Sequence, residues 1–154
     1  MLTLAQAHDH LEGIVMVPIR FSDIDIFRHV NHAKLLTYCE DHRTAMMPIL
    51  EAECGTDWTD QGFVLAHLTA DFLQPVTLAD VEVEVAFSVV RTGRTSVTVH
   101  YELRLPVGSR ASGAPAARVE QVLVVLGPNG PKPLKAQERD WFARFERPAA
   151  RRGG

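Results

Sequence analysis

Between Arg20 and His32 the chain reads Arg-Phe-Ser-Asp-Ile-Asp-Ile-Phe-Arg-His-Val-Asn-His, which crowds the carboxylates Asp23 and Asp25 against the imidazoles His29 and His32. An apolar run ends at Phe21 and a helical pattern starts after Asn31, so these groups fall at a strand-to-helix corner. A carboxylate there can act as base or nucleophile. The first helical turn leaves backbone N–H groups unpaired, which suits it to receive developing negative charge. Asn31 is a good N-cap for that turn. Each residue also has a plainer reading. Asp25 can be a turn carboxylate capping local N–H groups, Asp23 is structural, and His29 can be a hydrogen-bonded structural imidazole. Asp25, His29 and His32 together make a three-ligand metal set, although His-x-x-His lacks the i,i+4 spacing of the helical zinc pair. Cys39, on an apolar helix face, reads as a small buried hydrophobe. Glu40 and Arg43 read as an i,i+3 ion pair. His67 and His100 carry no assignment.

The elements that must position this corner follow from periodicity. Gly13 to Phe21 is a short apolar run fitting a buried strand, and Pro18 puts it toward an edge or bulge. From Asn31 a wide apolar arc of Leu35, Leu36, Tyr38, Cys39, Met46, Ile49 and Leu50 predicts a helix covered over most of its circumference. A kink or restart is expected at Pro48, and an end by Gly55. Strands are predicted over Phe63 to Leu73, Asp80 to Arg91, Arg94 to Leu105 and Ala117 to Leu126, with a hairpin at Thr92-Gly93. The last of them, apolar on both faces, should be interior. Thr56 to Gly62 and Pro106 to Pro115 read as loops, and Lys135 to Arg147 as a short helix with Trp141, Phe142 and Phe145 inward. The class is α+β: a mostly antiparallel five-stranded sheet around one long central helix.

The chain of 154 residues makes one domain, 1–154, with an ordered core over about 13–147 and flexible termini. A net charge of -3 without a basic patch excludes nucleic acid and an anionic membrane as main partners. Two cysteines suit a reduced cytoplasmic protein. Met1 to Leu11 does not read as a signal peptide, and no apolar run approaches a membrane span.

The motif Arg-Phe-Ser-Asp-Ile-Asp-x-x-x-His-Val-Asn-His, with Glu40 and Arg43 down the helix, resembles the signature of hotdog-fold thioesterases of the 4-hydroxybenzoyl-CoA thioesterase type and their acyl-carrier-protein relatives. The likeness continues through Ala70 to Val76, Val90 to Ser96 and Pro133-Leu134, covering the chain from about Val15 to Phe145. Phe27 departs from it, standing where plant-type acyl-ACP thioesterases carry Asn, and His32 replaces the second Asn of His-Val-Asn-Asn. The resemblance implies a hotdog fold and hydrolysis of an acyl or aroyl thioester. Asp25 is then the general base or nucleophile, the His32 backbone N–H the oxyanion donor, and His29 an orienting group. It places Asn31, Arg91, Gly93, Arg94 and Ser96 near the substrate. No metal or cofactor is implied, coenzyme A entering only as part of the substrate. It further implies a homodimer or dimer of dimers joined along Phe63 to Ala70, a stretch without the Lys, Arg, Pro or acidic residues that blunt an exposed edge. Two rival functions remain: an acyl-ACP thioesterase, and a non-catalytic acyl-thioester binding protein.

Overall fold

Alternation builds the sheet. In β3 (Glu82–Thr92) Val83, Val85 and Val89 are buried between more exposed neighbours, and β4 (Ser96–Arg104) buries Val97, Val99, Tyr101 and Leu103 in the same alternation, interrupted only by buried Thr98. The computed structural model describes residues 13–56, 62–106, 108 and 114–147. Met1 to Leu11, most of the expected loops Thr56 to Gly62 and Pro106 to Pro115, and the tail beyond Arg147 lie outside the described residues. With β1 (Ile14–Pro18), β2 (Phe63–Phe72) and β5 (Pro115–Gly127), the strands form one antiparallel sheet in the order β1-β3-β4-β5-β2. A two-residue strand β6 (Gly130–Pro131) pairs back onto β5. It is a sixth strand where five were expected, because an element so short has no periodicity to read. Pro18 lies on an edge strand as expected, and β5 is interior between β4 and β2.

Helix α1 (His32–Cys54) lays Leu35, Tyr38, Cys39, Met46 and Leu50 on the concave face of the sheet. His42 shares that stripe and is fully buried, its Nε2 3.0 Å from the Gly13 carbonyl oxygen and its ring stacked on Phe87 at 5.3 Å. Residue type hid this, since only its position relative to Tyr38 and Cys39 marks it as inward. The helix runs through Pro48 without the expected restart. Pro48 and Thr44 are both exposed, so water can reach the carbonyl that lacks a donor. Gly55 closes the helix in the left-handed conformation (φ 64°), donating its N–H to the Glu51 carbonyl. Helix α2 (Ala136–Ala143) is shorter than expected and buries Trp141 and Phe142. Buried Glu138 ties the two helix ends together, accepting from the Thr56 hydroxyl at 2.7 Å and the Lys135 N–H at 2.8 Å. Among the described residues no helix is long and apolar enough to cross a membrane.

Among the described residues β2 is an edge strand, paired only with β5. Leu65 and Phe72 oppose the buried residues Leu123 and Ala117 and so face the helix side, yet they remain 39% and 47% exposed. The helix therefore leaves the concave face uncovered next to β2. A bulge between Leu65 and His67 takes Ala66 out of register.

Candidate active site

The corner is not extended, as a shared face for Asp23 and Asp25 would require. A 3-10 turn over Phe21–Asp23 rotates Asp23 inward, where it is buried. Its Oδ2 accepts from the Arg20 N–H at 3.0 Å and from the Tyr38 hydroxyl at 2.7 Å, and its carbonyl accepts from the Asn31 N–H at 2.9 Å. Burial, reinforced by the bond to Asp23, pushes the Tyr38 phenol well above its usual range. Asp23 is thus the structural carboxylate of the pair. Removing its buried donor with Tyr38→Phe is expected to cost roughly 1–3 kcal/mol of stability. Urea unfolding checks this, and an unchanged midpoint would mean the corner is held elsewhere.

Asp25 is half-exposed at the head of a tight loop. Its N–H donates to the His29 carbonyl, and its own carbonyl accepts from the Arg28 N–H, both at 3.0 Å. Closing that loop forces Arg28 into the left-handed region (φ 64°), a strained setting for a residue with a Cβ. The Asp25 carboxylate accepts from the Phe27 N–H at 2.9 Å through Oδ1 and from Asn31 Nδ2 at 3.3 Å through Oδ2. Each oxygen keeps a lone pair for a further partner. The turn-carboxylate reading and the catalytic reading therefore describe one geometry. Asn31 does two jobs, since its Oδ1 also accepts from the Ala33 N–H at 2.9 Å and caps α1. His29 meets Asp25 only through the backbone; among the described residues no side-chain hydrogen bond joins them.

Asp25, Phe27, His29 and His32 line a cavity of about 400 Å³ whose other wall is the segment from Phe72 to Val76. The Val30 N–H donates to the Val76 carbonyl at 2.7 Å, stitching the two walls together. Among the described residues no group accepts from the His32 N–H, which opens α1. The His32 ring packs edge-on against Phe72, with centroids 5.7 Å apart. Asp25 and the residue that opens α1 thus line one largely apolar-walled space. Base or nucleophile on one side and oxyanion donor on the other is what addition to a carbonyl needs. The wall Phe72 to Val76 carried only likeness in the sequence; Gln74-Pro75, ending a strand, was the available signal.

The other candidates lie elsewhere. Through Thr92–Val97–Leu123–Leu65 the register puts the Gly93 turn at the Leu65 end of β2, whereas the Asp25 cavity is at the Phe72 end. From Ser96 to Leu103 along β4 the two ends are roughly 23 Å apart. Within one chain, Arg91, Gly93, Arg94 and Ser96 are therefore not brought to Asp25. The turn itself is held by the Gly93 N–H donating to the Ser96 carbonyl and by Arg139 donating to the Gly93 carbonyl, both at 2.8 Å, while Arg91 and Arg94 are exposed. Cys39 is fully buried and burial pushes its thiol up to about 12, which leaves it inert as a nucleophile. Glu40 and Arg43 form the expected ion pair. Among the described residues no three His, Cys, Asp or Glu side chains converge on a point that could hold an ion, Asp25, His29 and His32 included.

Comparison with known proteins bears on this arrangement. The sequence profile of the thioesterase superfamily matches residues 27–111. A thioesterase from Thermus thermophilus, solved complexed with coenzyme A and Zn, is 34% identical with a TM-score of 0.70 over 89% of this chain and 99% of its own. The dynemicin thioesterase is 16% identical with a TM-score of 0.76, covering 89% of this chain and 99% of its own. A thioesterase superfamily protein from Jannaschia sp. CCS1 is 21% identical with a TM-score of 0.70, covering 84% and 80%. At such identities the last two speak for the fold alone. Among curated proteins no sequence matches significantly.

Proposed function

The chain belongs to the thioesterase superfamily and has its hotdog fold, and on that premise we propose that it hydrolyses acyl or aroyl thioesters of coenzyme A at the Asp25 corner. The observation that carries this reading is that Asp25 and His32, whose N–H has no acceptor among the described residues, line one cavity. Asp25 serves as general base toward water or attacks the carbonyl itself, and the His32 N–H receives the oxyanion. Asn31 and the Phe27 N–H hold the carboxylate in place, leaving His29 to the cavity wall. A thiol has a pKa of about 8.5, so the leaving thiolate needs little acid assistance. A coenzyme A complex in the Thermus thermophilus relative supports this thiol over an acyl carrier protein.

The same reading makes the functional unit a homodimer, or a dimer of dimers, joined along β2. Three features support it: β2 is an edge strand among the described residues, its inward-facing Leu65 and Phe72 are exposed, and the Gly93 turn is remote from Asp25. Antiparallel pairing of β2 with its two-fold mate brings the Leu65 end of one chain beside the Phe72 end of the other. The partner's hairpin then lies at the same end of the double-length sheet as this chain's Asp25, which gives Arg91 and Arg94 a route to phosphates.

Mass spectrometry of reaction mixtures should find free acid and free coenzyme A in equal amounts. Dialysis against EDTA is expected to leave the rate unchanged, because no step uses a metal. Loss of activity that zinc restores would move the chemistry to a metal at Asp25, His29 and His32.

A further inference from the structure

The concave face beside β2 holds two spaces. The Asp25 cavity lies at its Phe72 end; toward its Phe63 end Met46, Met47, Phe63, Leu123 and Arg43 help enclose an apolar cavity of about 30 Å³. Helical spacing sets His32, Leu36, Arg43 and Met47 along one stripe of α1. Arg43 stands roughly 16 Å down the helix from His32. Its Nη1 donates to Gln121 Oε1 at 2.8 Å, and Gln121 sits opposite Leu68, roughly 13 Å along β2 from Phe72. Arg43 lines the Met-lined cavity and not the Asp25 cavity, so this link crosses the concave face at the wall of the former that is nearer to Asp25. The other arm of the guanidinium pairs with Glu40. Gln121 is fully buried, and its Nε2 has no partner among the described residues. Apolar side chains dominate both sides of this polar bar: Leu35, Phe72 and Val76 before it, Met46, Met47 and Phe63 after it. A saturated chain passing the bar would have to displace a guanidinium from two partners and lie against it, which the low-dielectric interior penalises.

We propose that Arg43, held by Gln121 and Glu40, is the floor of the acyl site and restricts substrates to aromatic or medium-length acyl groups that end before it. The proposal rests on the acyl-thioester reading above. The Met-lined cavity beyond the bar stays closed to these substrates.

The test compares kcat/KM for butanoyl-, octanoyl-, benzoyl- and hexadecanoyl-CoA, below their micellar concentrations. It uses the wild-type protein and the double variant Arg43→Met with Gln121→Leu. That pair removes the charge and its buried acceptor together, leaving the half-exposed Glu40 to water. In the wild type, hexadecanoyl-CoA is expected to fall at least about tenfold below octanoyl-CoA. In the double variant the ratio should recover by about tenfold or more, whatever happens to the overall rate. Arg43→Lys, which keeps the charge but loses the planar fork, should shift the ratio the same way by less. Equal use of both chain lengths by the wild type overturns the proposal without any variant. An unchanged ratio in the double variant overturns it as well. No thiol release from any of the four substrates would overturn the acyl-thioester reading and this proposal with it, so the two failures are told apart.

Discussion

Asp25→Asn is expected to lower turnover by at least about 10²-fold, the usual cost of losing a general base, while leaving fold and coenzyme A binding nearly intact. The geometry gives the reason for that separation. Asn presents one carbonyl oxygen and one amide, so it can still accept from the Phe27 N–H, which keeps the loop closed. What it cannot do is take a proton from water or attack a thioester. The amide would face the Asn31 amide donor, and because both amide oxygens are committed to the Phe27 and Ala33 N–H groups, the variant loses this one half-exposed hydrogen bond, at a cost of about 1 kcal/mol. Melting temperature and coenzyme A binding measured on the same sample separate damage from chemistry. Near wild-type turnover by a folded Asp25→Asn protein would remove Asp25 from the mechanism.

Blunting the β2 edge is expected to release monomers and abolish turnover together, although Asp25 is untouched. His67 and Thr69 are exposed, near the middle of the strand, and on the face away from the helix. His67→Lys with Thr69→Lys should therefore be tolerated by the single chain. In a two-fold pairing each new charge meets its like across the axis, and lysine is what solitary edge strands use against association. Sedimentation across a dilution series, with activity read on the same samples, is the check. Full activity in a monomer would mean that one chain completes the site and that β2 is not the seam.

The candidate corner was legible in the sequence because its groups are close along the chain and their jobs are local. Asn31 caps the helix it precedes, and Asp25 binds a donor two residues on. The strands were legible for the same reason, since alternation in Val83 to Val89 and Val97 to Leu103 is a property of consecutive residues. Elsewhere, partners distant in the chain decide the outcome. Asp23 turns inward because Tyr38, a helix residue, donates to it. Periodicity could not show that Phe72 to Val76 would wall the Asp25 cavity, or that Arg43 would reach Gln121 seventy-eight residues on. His42 hid behind its residue type, being a polar side chain on a buried stripe. The Gly93 turn was placed near the substrate by likeness alone, and the single chain sets it at the far end of the sheet.

The most direct test of the central claim is continuous measurement of free thiol released from octanoyl- and benzoyl-CoA by the wild-type protein. Matched Asp25→Asn protein serves as the blank. Steady, multiple-turnover release by the wild type is expected, depending on enzyme concentration and falling by at least about 10²-fold in the blank. Release at equal rates by both proteins, or none from a folded wild-type protein that binds coenzyme A, would contradict it.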